Sequence, residues 1–341
     1  MNTTFLDACN LKETPYRPIW LMRQAGRYLE SYQQTKKKAR DFVGLCTTPA
    51  LAAEVTLQPV DQLGVDAAIL FSDILVVVEA LGLHYEVHPG SGPIIHASTS
   101  PAWKSLQHLD VTDRLHYVFE TIHLVHRELA GRVPLLGFSA MPFTLATYII
   151  EGGTSRDFRK TKQLMYQQRN EFYTLLQLIT EVVIEYAKKQ IESGVEALQL
   201  FDTWASVLSR QDYYHYVQPH SQRVCRELRS LGRPLIHYIN GVQHLFDNVV
   251  SLGTQVISLD WRCDLAWARD RVAGSRALQG NLDPHALYLP DHLLEHRVRE
   301  MLEVYSNAPG YIVNLGHGVF PQADPSKVKL LVDLVHELSR H

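Results

Sequence analysis

Ala67-Ala-Ile-Leu-Phe-Ser-Asp73 is a run of apolar residues that ends on a carboxylate. Its first five residues are apolar without alternation, so both faces of an extended chain there are apolar. That is the pattern of a strand covered on both sides, as in a parallel sheet with helices packed over it. A carboxylate closing such a run is costly unless partners await it at the strand's end. A helix cap is the bland alternative for Asp73, and its place after so apolar a run favours a functional role.

Seven further runs share this character: Pro18–Met22, Val133–Ser139, Ala197–Phe201, Pro234–Tyr238, Gln255–Asp260, Ala277–Gly280 and Tyr311–Leu315. Helical patterns lie between them. Thr48–Leu63 opens with Thr-Thr-Pro. Thr161–Ser193 is long, amphipathic and stops at Gly194. Arg210–Leu231 stops at Gly232, and Pro290–Tyr305 and Pro325–Leu338 follow prolines. Eight strands alternating with helices predict a single α/β domain over 1–341, a (β/α)8 TIM barrel, with residues 1–14 as an N-terminal leader segment. A doubly wound open sheet fits less well, because no strand leads into a glycine-rich phosphate loop. Ile74–His96, with Gly82 and the Pro89-Gly-Ser-Gly-Pro93 cluster, reads as a hairpin or loop insertion after the second strand.

Barrels of this kind carry their active sites at the C-terminal ends of the strands. Just there the sequence places Arg23 after the first strand, Asp73 after the second, Tyr148 beyond the third, Thr203 beyond the fourth and His317 beyond the eighth. The first of these loops is the richest. In Pro18-Ile-Trp-Leu-Met-Arg-Gln-Ala-Gly-Arg27, Arg23 and Arg27 are permanently charged forks suited to carboxylates. Gln24 supplies donors and an acceptor, and Gly26 permits a turn or a close approach. A lone Arg-x-x-x-Arg is more often a pair of surface ion-pairing residues. Tyr148 alone reads as a core aromatic, and Thr203 as a helix start. His317 sits between two glycines, where the backbone must be tight. Glu151 and Asp202 read as groups that orient neighbours or pair with arginines rather than do chemistry.

Net charge is −3, so the chain lacks the basic surface expected of nucleic-acid or anionic-membrane binding. Lys36-Lys-Lys-Ala-Arg40 is best read as a solvated helix face. Cys9, Cys46, Cys225 and Cys263 are scattered, with no CxxC, so they predict reduced thiols in a cytoplasmic chain. No clustered Cys or His has metal-ligand spacing; His84 and His88 lie in a strand-like run. No signal peptide and no run long enough to span a membrane is visible.

Four segments together resemble the uroporphyrinogen decarboxylase family. Pro18–Arg27 matches its PxWxMRQAGR signature. Gly137-Phe-Ser-Ala-Met-Pro-Phe-Thr-Leu-Ala-Thr-Tyr-Ile-Ile-Glu-Gly152 matches its second. Ala67–Asp73 and Asn314-Leu-Gly-His-Gly-Val319 complete the set, and the likeness runs from about 15 to about 330. Leu259-Asp-Trp-Arg262 and Ala277-Leu-Gln-Gly-Asn-Leu-Asp-Pro284 also match. His237-Tyr-Ile-Asn-Gly-Val-Gln-His244 departs from the family's glycine-richer pattern and puts the loop near 239–245 in doubt.

The resemblance implies decarboxylation of the four acetate side chains of uroporphyrinogen III to coproporphyrinogen III, on the way to heme, by a homodimer that needs no cofactor or metal. It implies Asp73 as the central catalytic residue and a substrate-binding set of Arg23, Gln24, Ala25, Gly26, Arg27, Asp73, Tyr148, Thr203 and His317. The chemistry fits. Loss of carbon dioxide leaves an electron pair, and a pyrrole protonated at its α-carbon is its own electron sink. A central anion and rim arginines would stabilise that state. Arg23, or water it positions, is the expected aid to proton delivery. Two rival readings remain. A barrel methyltransferase would need a zinc-bound thiolate, for which no His-x-Cys pair exists. A tetrapyrrole carrier would keep the arginines without needing Asp73.

Overall fold

The computed structural model describes residues 2–88, 90, 92–96, 101–306 and 308–340. Seven strands form one parallel sheet: β1 (Ala68–Ile69), β4 (Leu135–Ala140), β5 (Ala197–Phe201), β6 (Leu235–Tyr238), β7 (Val256–Ser258), β8 (Ala277–Leu282) and β9 (Tyr311–Leu315). Their order across the sheet is their order along the chain. A doubly wound sheet would instead reverse direction at a switch point. Helices follow the strands, and almost every strand residue is buried on both faces.

The first apolar run, expected as a strand, is held by few bonds. Ile19 forms one parallel bridge to Val313 of β9. The Val313 N–H donates to the Pro18 carbonyl at 2.8 Å, and the Asp66 N–H donates to the Ile19 carbonyl at 2.8 Å. Residues 18–20 thus bond to both edges of the curled sheet. The Asp66 carboxylate adds a bond from the Ile19 N–H at 2.8 Å and one to His336 at 2.7 Å.

Inside the sheet Trp20, Ala67, Leu136, Ala197, Ile236, Val256, Ala277 and Ile312 pack together, one from each of the eight apolar runs. Such layering is how small barrels fill their interior. Above this layer lies a polar one. The Trp20 Nε1–H donates to Gln279 Oε1 at 2.8 Å, and Gln279 Nε2 donates to Ser258 Oγ at 2.9 Å. Below it sits the helix Thr4–Cys9, whose Phe5, Ala8 and Cys9 belong to the same cluster and are at most 1% exposed. That helix, within the stretch read as a leader, therefore plugs the bottom of the sheet.

Between β1 and β4 stands an antiparallel hairpin, β2 (His84–His88) with β3 (Gly92–His96). Pro89 and Ser91 of its turn lie outside the described residues. It docks on the end of the helix Pro142–Glu151: Ile94 bridges Gly153, and the Ile95 N–H donates to the Gly152 carbonyl at 3.1 Å. A Cβ at Gly153 would stand 2.5 Å from the Pro93 carbonyl oxygen, so only glycine fits this contact.

Two helices differ from the sequence pattern. Thr161–Ser193 is two helices, Arg159–Gln167 and Arg169–Ser193, parted at Gln168, whose φ of −132° leaves the helical region. Arg210–Leu231 is interrupted by a π turn at Tyr213–Val217 before the helix Gln218–Arg229. Pro219 accounts for that turn. Its ring has no N–H and would collide with a carbonyl one turn back, so the chain widens there.

Candidate active site

The polar residues gather where the strands end. Arg23 follows the first apolar segment with φ of 61°, a left-handed conformation uncommon for a side chain of this size. Its backbone is fixed from within. Gln24 is buried; its Oε1 accepts from the Leu21 N–H at 3.1 Å and its Nε2 donates to the Ala67 carbonyl at 3.0 Å. The Gln24 carbonyl accepts from the Tyr28 hydroxyl at 2.6 Å. The Gln24 side-chain amide is therefore engaged within the protein, tying the loop to Ala67 just before β1, because a buried amide must satisfy itself internally. Ala25 and Gly26 are half-buried, and Arg23 and Arg27 reach into solvent.

Arg23 lies across Gly318. A Cβ at 318 would stand 2.7 Å from the Arg23 Cγ and closer still to its Cδ, so glycine leaves the path for the arginine stem. Gly316 does the same for Trp261, whose Cα would be 2.8 Å from a Cβ there. Between these glycines His317 is fixed. The Gly318 N–H donates to its Nδ1 at 2.8 Å, which leaves Nε2 as the ring's donor. Burial, with Arg23 and Arg262 nearby, holds the imidazole down to about 4, so it is neutral at physiological pH.

Asp73 follows β1 in a half-buried turn, its Oδ1 accepting from the Leu75 N–H at 2.7 Å. Burial raises its carboxyl above the ordinary 3.8, while that N–H and the Arg23 charge pull the other way. Tyr148 lies on the helix Pro142–Glu151, and its ring meets Trp204 edge-on at 6.2 Å. Burial raises its hydroxyl; the Trp204 side chain opposes this, Asp73 adds to it and Arg23 opposes it. One guanidinium, that of Arg23, thus acts electrostatically on Asp73, Tyr148 and His317 together. Thr203 stands half-buried in the turn after β5. Phe138, Phe201 and Tyr238 line the same strand ends in two edge-to-face steps of 5.9 Å.

Asp202 and Glu151 bind neighbours. Glu151 Oε1 accepts from the Thr161 N–H at 2.9 Å and its hydroxyl at 2.8 Å. Asp202 Oδ1 accepts from the Thr144 hydroxyl at 3.0 Å, and Thr144 Oγ1 accepts from the Trp204 N–H at 3.3 Å. Asp202 Oδ2 has no partner among the described residues, and burial pushes the carboxyl up to about 7.

The loop left in doubt, 239–245, is anchored by Asp260. Its Oδ2 accepts from the N–H groups of Gly241 at 2.8 Å and Val242 at 3.1 Å. Its Oδ1 accepts from Arg262 Nε at 2.7 Å. Arg262 was available to the same reasoning that found Arg23, since it too follows an apolar run. Asp260, two residues before it, is its ion-pair partner.

All four cysteines are buried, and burial pushes Cys225 and Cys263 up to about 12. Among the described residues no three His, Cys, Asp or Glu side chains form a metal cage. No helix among them is long and apolar enough to cross a membrane.

Comparison with known proteins identifies the family. A family model, uroporphyrinogen decarboxylase (URO-D), matches residues 1–338. A uroporphyrinogen decarboxylase of Carboxydothermus hydrogenoformans is 45% identical over 99% of this chain and 97% of its own. That of Syntrophotalea carbinolica is 46% identical over 98% of each. Among solved structures, a methyltransferase from Methanosarcina mazei superposes with a TM-score of 0.78 at 18% identity, over 99% of this chain and 98% of that one. A B12-independent methionine synthase from Shewanella sp. gives 0.58 at 12% identity, over 85% and 88%. Those two likenesses concern the fold, whereas the family match and the relatives near 45% identity span almost the whole sequence: the chain belongs to the uroporphyrinogen decarboxylase family.

Proposed function

We propose that the protein removes the acetate carboxyl groups of uroporphyrinogen III to give coproporphyrinogen III in porphyrin biosynthesis. The observation that carries this reading is Arg23, whose stem lies over Gly318 and whose guanidinium has Asp73, Tyr148 and His317 within its electrostatic reach. An anionic substrate with many carboxylates needs fixed cations, and a cationic intermediate needs one fixed anion. Both stand at the strand ends here.

In this reading a ring α-carbon takes a proton, and the cationic pyrrole draws the electron pair as the acetate C–C bond breaks. The methylene so formed regains a proton and becomes a methyl group, while the ring returns its own. Asp73 accepts hydrogen bonds from pyrrole N–H groups and stabilises the cation. Burial opposes its charge, so a cation beside it offsets that cost and is itself stabilised. Arg23 and Arg27 grip carboxylates as forks, and Arg23 or water it holds delivers the proton. The neutral His317 offers its Nε2–H, and Tyr148 and Thr203 their hydroxyls, to orient side chains. Residues 18–22 serve as the first strand of an eight-stranded barrel, with the hairpin His84–His96 inserted after the second. Assembly as a homodimer belongs to the same proposal; sedimentation at the mass of one chain would remove it.

The test is product analysis after incubating the purified protein with reduced uroporphyrinogen. Stepwise loss of carboxyl groups to the tetracarboxylate is expected. Binding of the tetrapyrrole without turnover would make the protein a carrier and end the enzymatic reading.

A further inference from the structure

The mouth holds a third guanidinium, outside the signature loop. Arg262 lies four residues past β7, and its position is fixed on three sides. Asp260 Oδ1 accepts from its Nε at 2.7 Å, and Asn240 Oδ1 accepts from its Nη2 at 2.6 Å. Its guanidinium carbon sits 4.7 Å from the centre of the Trp261 ring. A Cβ at Gly241 would stand 3.3 Å from Nη2, so the loop passes close beneath it.

An arginine serving only to neutralise Asp260 is the simpler reading, and the bonding argues against it. Asp260 accepts two backbone N–H groups on Oδ2 and the Arg262 N–H, at 3.1 Å, on Oδ1. The guanidinium gives it a single further bond. The side-on edge of the fork, Nε with Nη2, is engaged by Asp260 and Asn240. On the end-on edge Nη1 has no acceptor among the described residues, Nη2 keeps a second N–H beyond the one given to Asn240, and the side chain is 53% exposed. That end-on pair is the geometry that takes a carboxylate bidentately.

Its neighbours place it at the candidate site. Trp261 packs against Gly316 and meets the His317 ring edge-on at 6.3 Å. Tyr238 Oη donates to the Gly316 carbonyl at 3.0 Å, which ties the His317 turn to β6. Arg23 and Arg262 both act electrostatically on the His317 ring and on Tyr238. Two guanidinium groups, that of Arg262 held by its neighbours, therefore act on one histidine turn.

We infer that Arg262 is a further substrate-holding residue, whose end-on fork grips a tetrapyrrole carboxylate beyond those held by Arg23 and Arg27 and so helps select heavily carboxylated substrates. The inference rests on the decarboxylase reading. A guanidinium already stacked and bridged loses little freedom on binding, so its contribution falls on affinity.

The test compares Arg262→Gln, Arg262→Lys and the paired variant Asp260→Asn/Arg262→Gln, which leaves no unpaired buried charge if the single change fails to fold. With reduced uroporphyrinogen, KM should rise roughly 10-fold or more in both glutamine variants, the scale of one hydrogen bond to a charged group. Turnover should hold within about two-fold, as befits uniform binding. Lysine should not restore KM, since Asp260 would take its point charge. Unchanged KM in a folded paired variant overturns the inference. So does lost turnover at unchanged KM, which would make Arg262 a positioning residue acting through His317. Wild-type protein that leaves uroporphyrinogen untouched refutes the decarboxylase reading instead. Fluorescence titration with uroporphyrin then still decides Arg262: equal affinity in wild type and the paired variant overturns it, and a roughly 10-fold weaker variant supports it.

Discussion

Asp202→Asn should make the protein more stable above neutral pH, even though it alters a fully buried residue beside the candidate site. Asp202 is wholly inaccessible, Oδ1 accepts from Thr144, and Oδ2 has no partner among the described residues. Burial raises the carboxyl from the ordinary 3.8 to about 7. A carboxyl that keeps its proton to higher pH in the folded chain than in the unfolded one favours folding below the unfolded value. That advantage is lost as pH rises through the folded value. Asparagine keeps the acceptor for Thr144 and cannot ionise. The cost that ionisation imposes on the wild type grows by about 1.4 kcal/mol per pH unit between 3.8 and 7, reaching about 4 kcal/mol above 7. Urea unfolding of both proteins at pH 5 and pH 8 isolates this effect, because every other titrating group is shared. The stability of the variant relative to wild type should increase by about 2.5 kcal/mol between the two pH values. A difference that stays constant with pH would refute the argument, and so would a variant that loses relative stability at pH 8.

Asp73→Asn should lower turnover by roughly 10²-fold or more while weakening coproporphyrinogen binding much less, because the product never carries the ring cation; equal losses would make Asp73 a binding residue. Arg27→Lys keeps the charge but not the fork, so KM should rise several-fold in a folded protein, and unchanged kinetics would place Arg27 outside the site. Protein stripped with chelator and dialysed should retain full activity; loss restored only by added zinc would overturn the metal-free reading. Phe5→Ala should destabilise by roughly 3–5 kcal/mol through the cavity it leaves beneath the inner layer, with normal activity per folded molecule, and a change below about 1 kcal/mol would mean that the plug is dispensable.

Much of this was legible in the sequence because burial on both faces leaves a continuous apolar run. Each of the seven sheet strands lies within or overlaps such a run, and Arg23, Asp73 and His317 were found as the polar residues that end them. What escaped reading depends on contacts between distant residues. Gln24 looks like a ligand-facing amide until Leu21 and the Ala67 carbonyl are brought to it. No proline or glycine marks the break at Gln168, whereas Pro219 was a visible signal for the π turn. Phe5, Ala8 and Cys9 have the i, i+3, i+4 spacing of a buried helix face. That pattern was present in the supposed leader, but nothing local reveals what the face covers. Arg262 was read only within the Leu259–Arg262 match, and its bond to Asn240 depends on a loop 22 residues away.

The bridge between Ile19 and Val313 also sets an order of events during synthesis. The two partners are separated by nearly three hundred residues. At the usual pace of translation, roughly 5–20 residues per second, the first segment leaves the ribosome between about 15 s and a minute before the strand that completes it. Phe5, Ile19 and Trp20, all fully buried at the end, spend that interval without their eventual neighbours. Segments near the two ends of the chain meet in the finished molecule, where the Arg17 N–H donates to Ser339 Oγ at 2.8 Å. A circularly permuted gene, joining these segments and opening a loop elsewhere, would bring the two halves of the seam off the ribosome together and shorten the period in which these apolar residues stay uncovered.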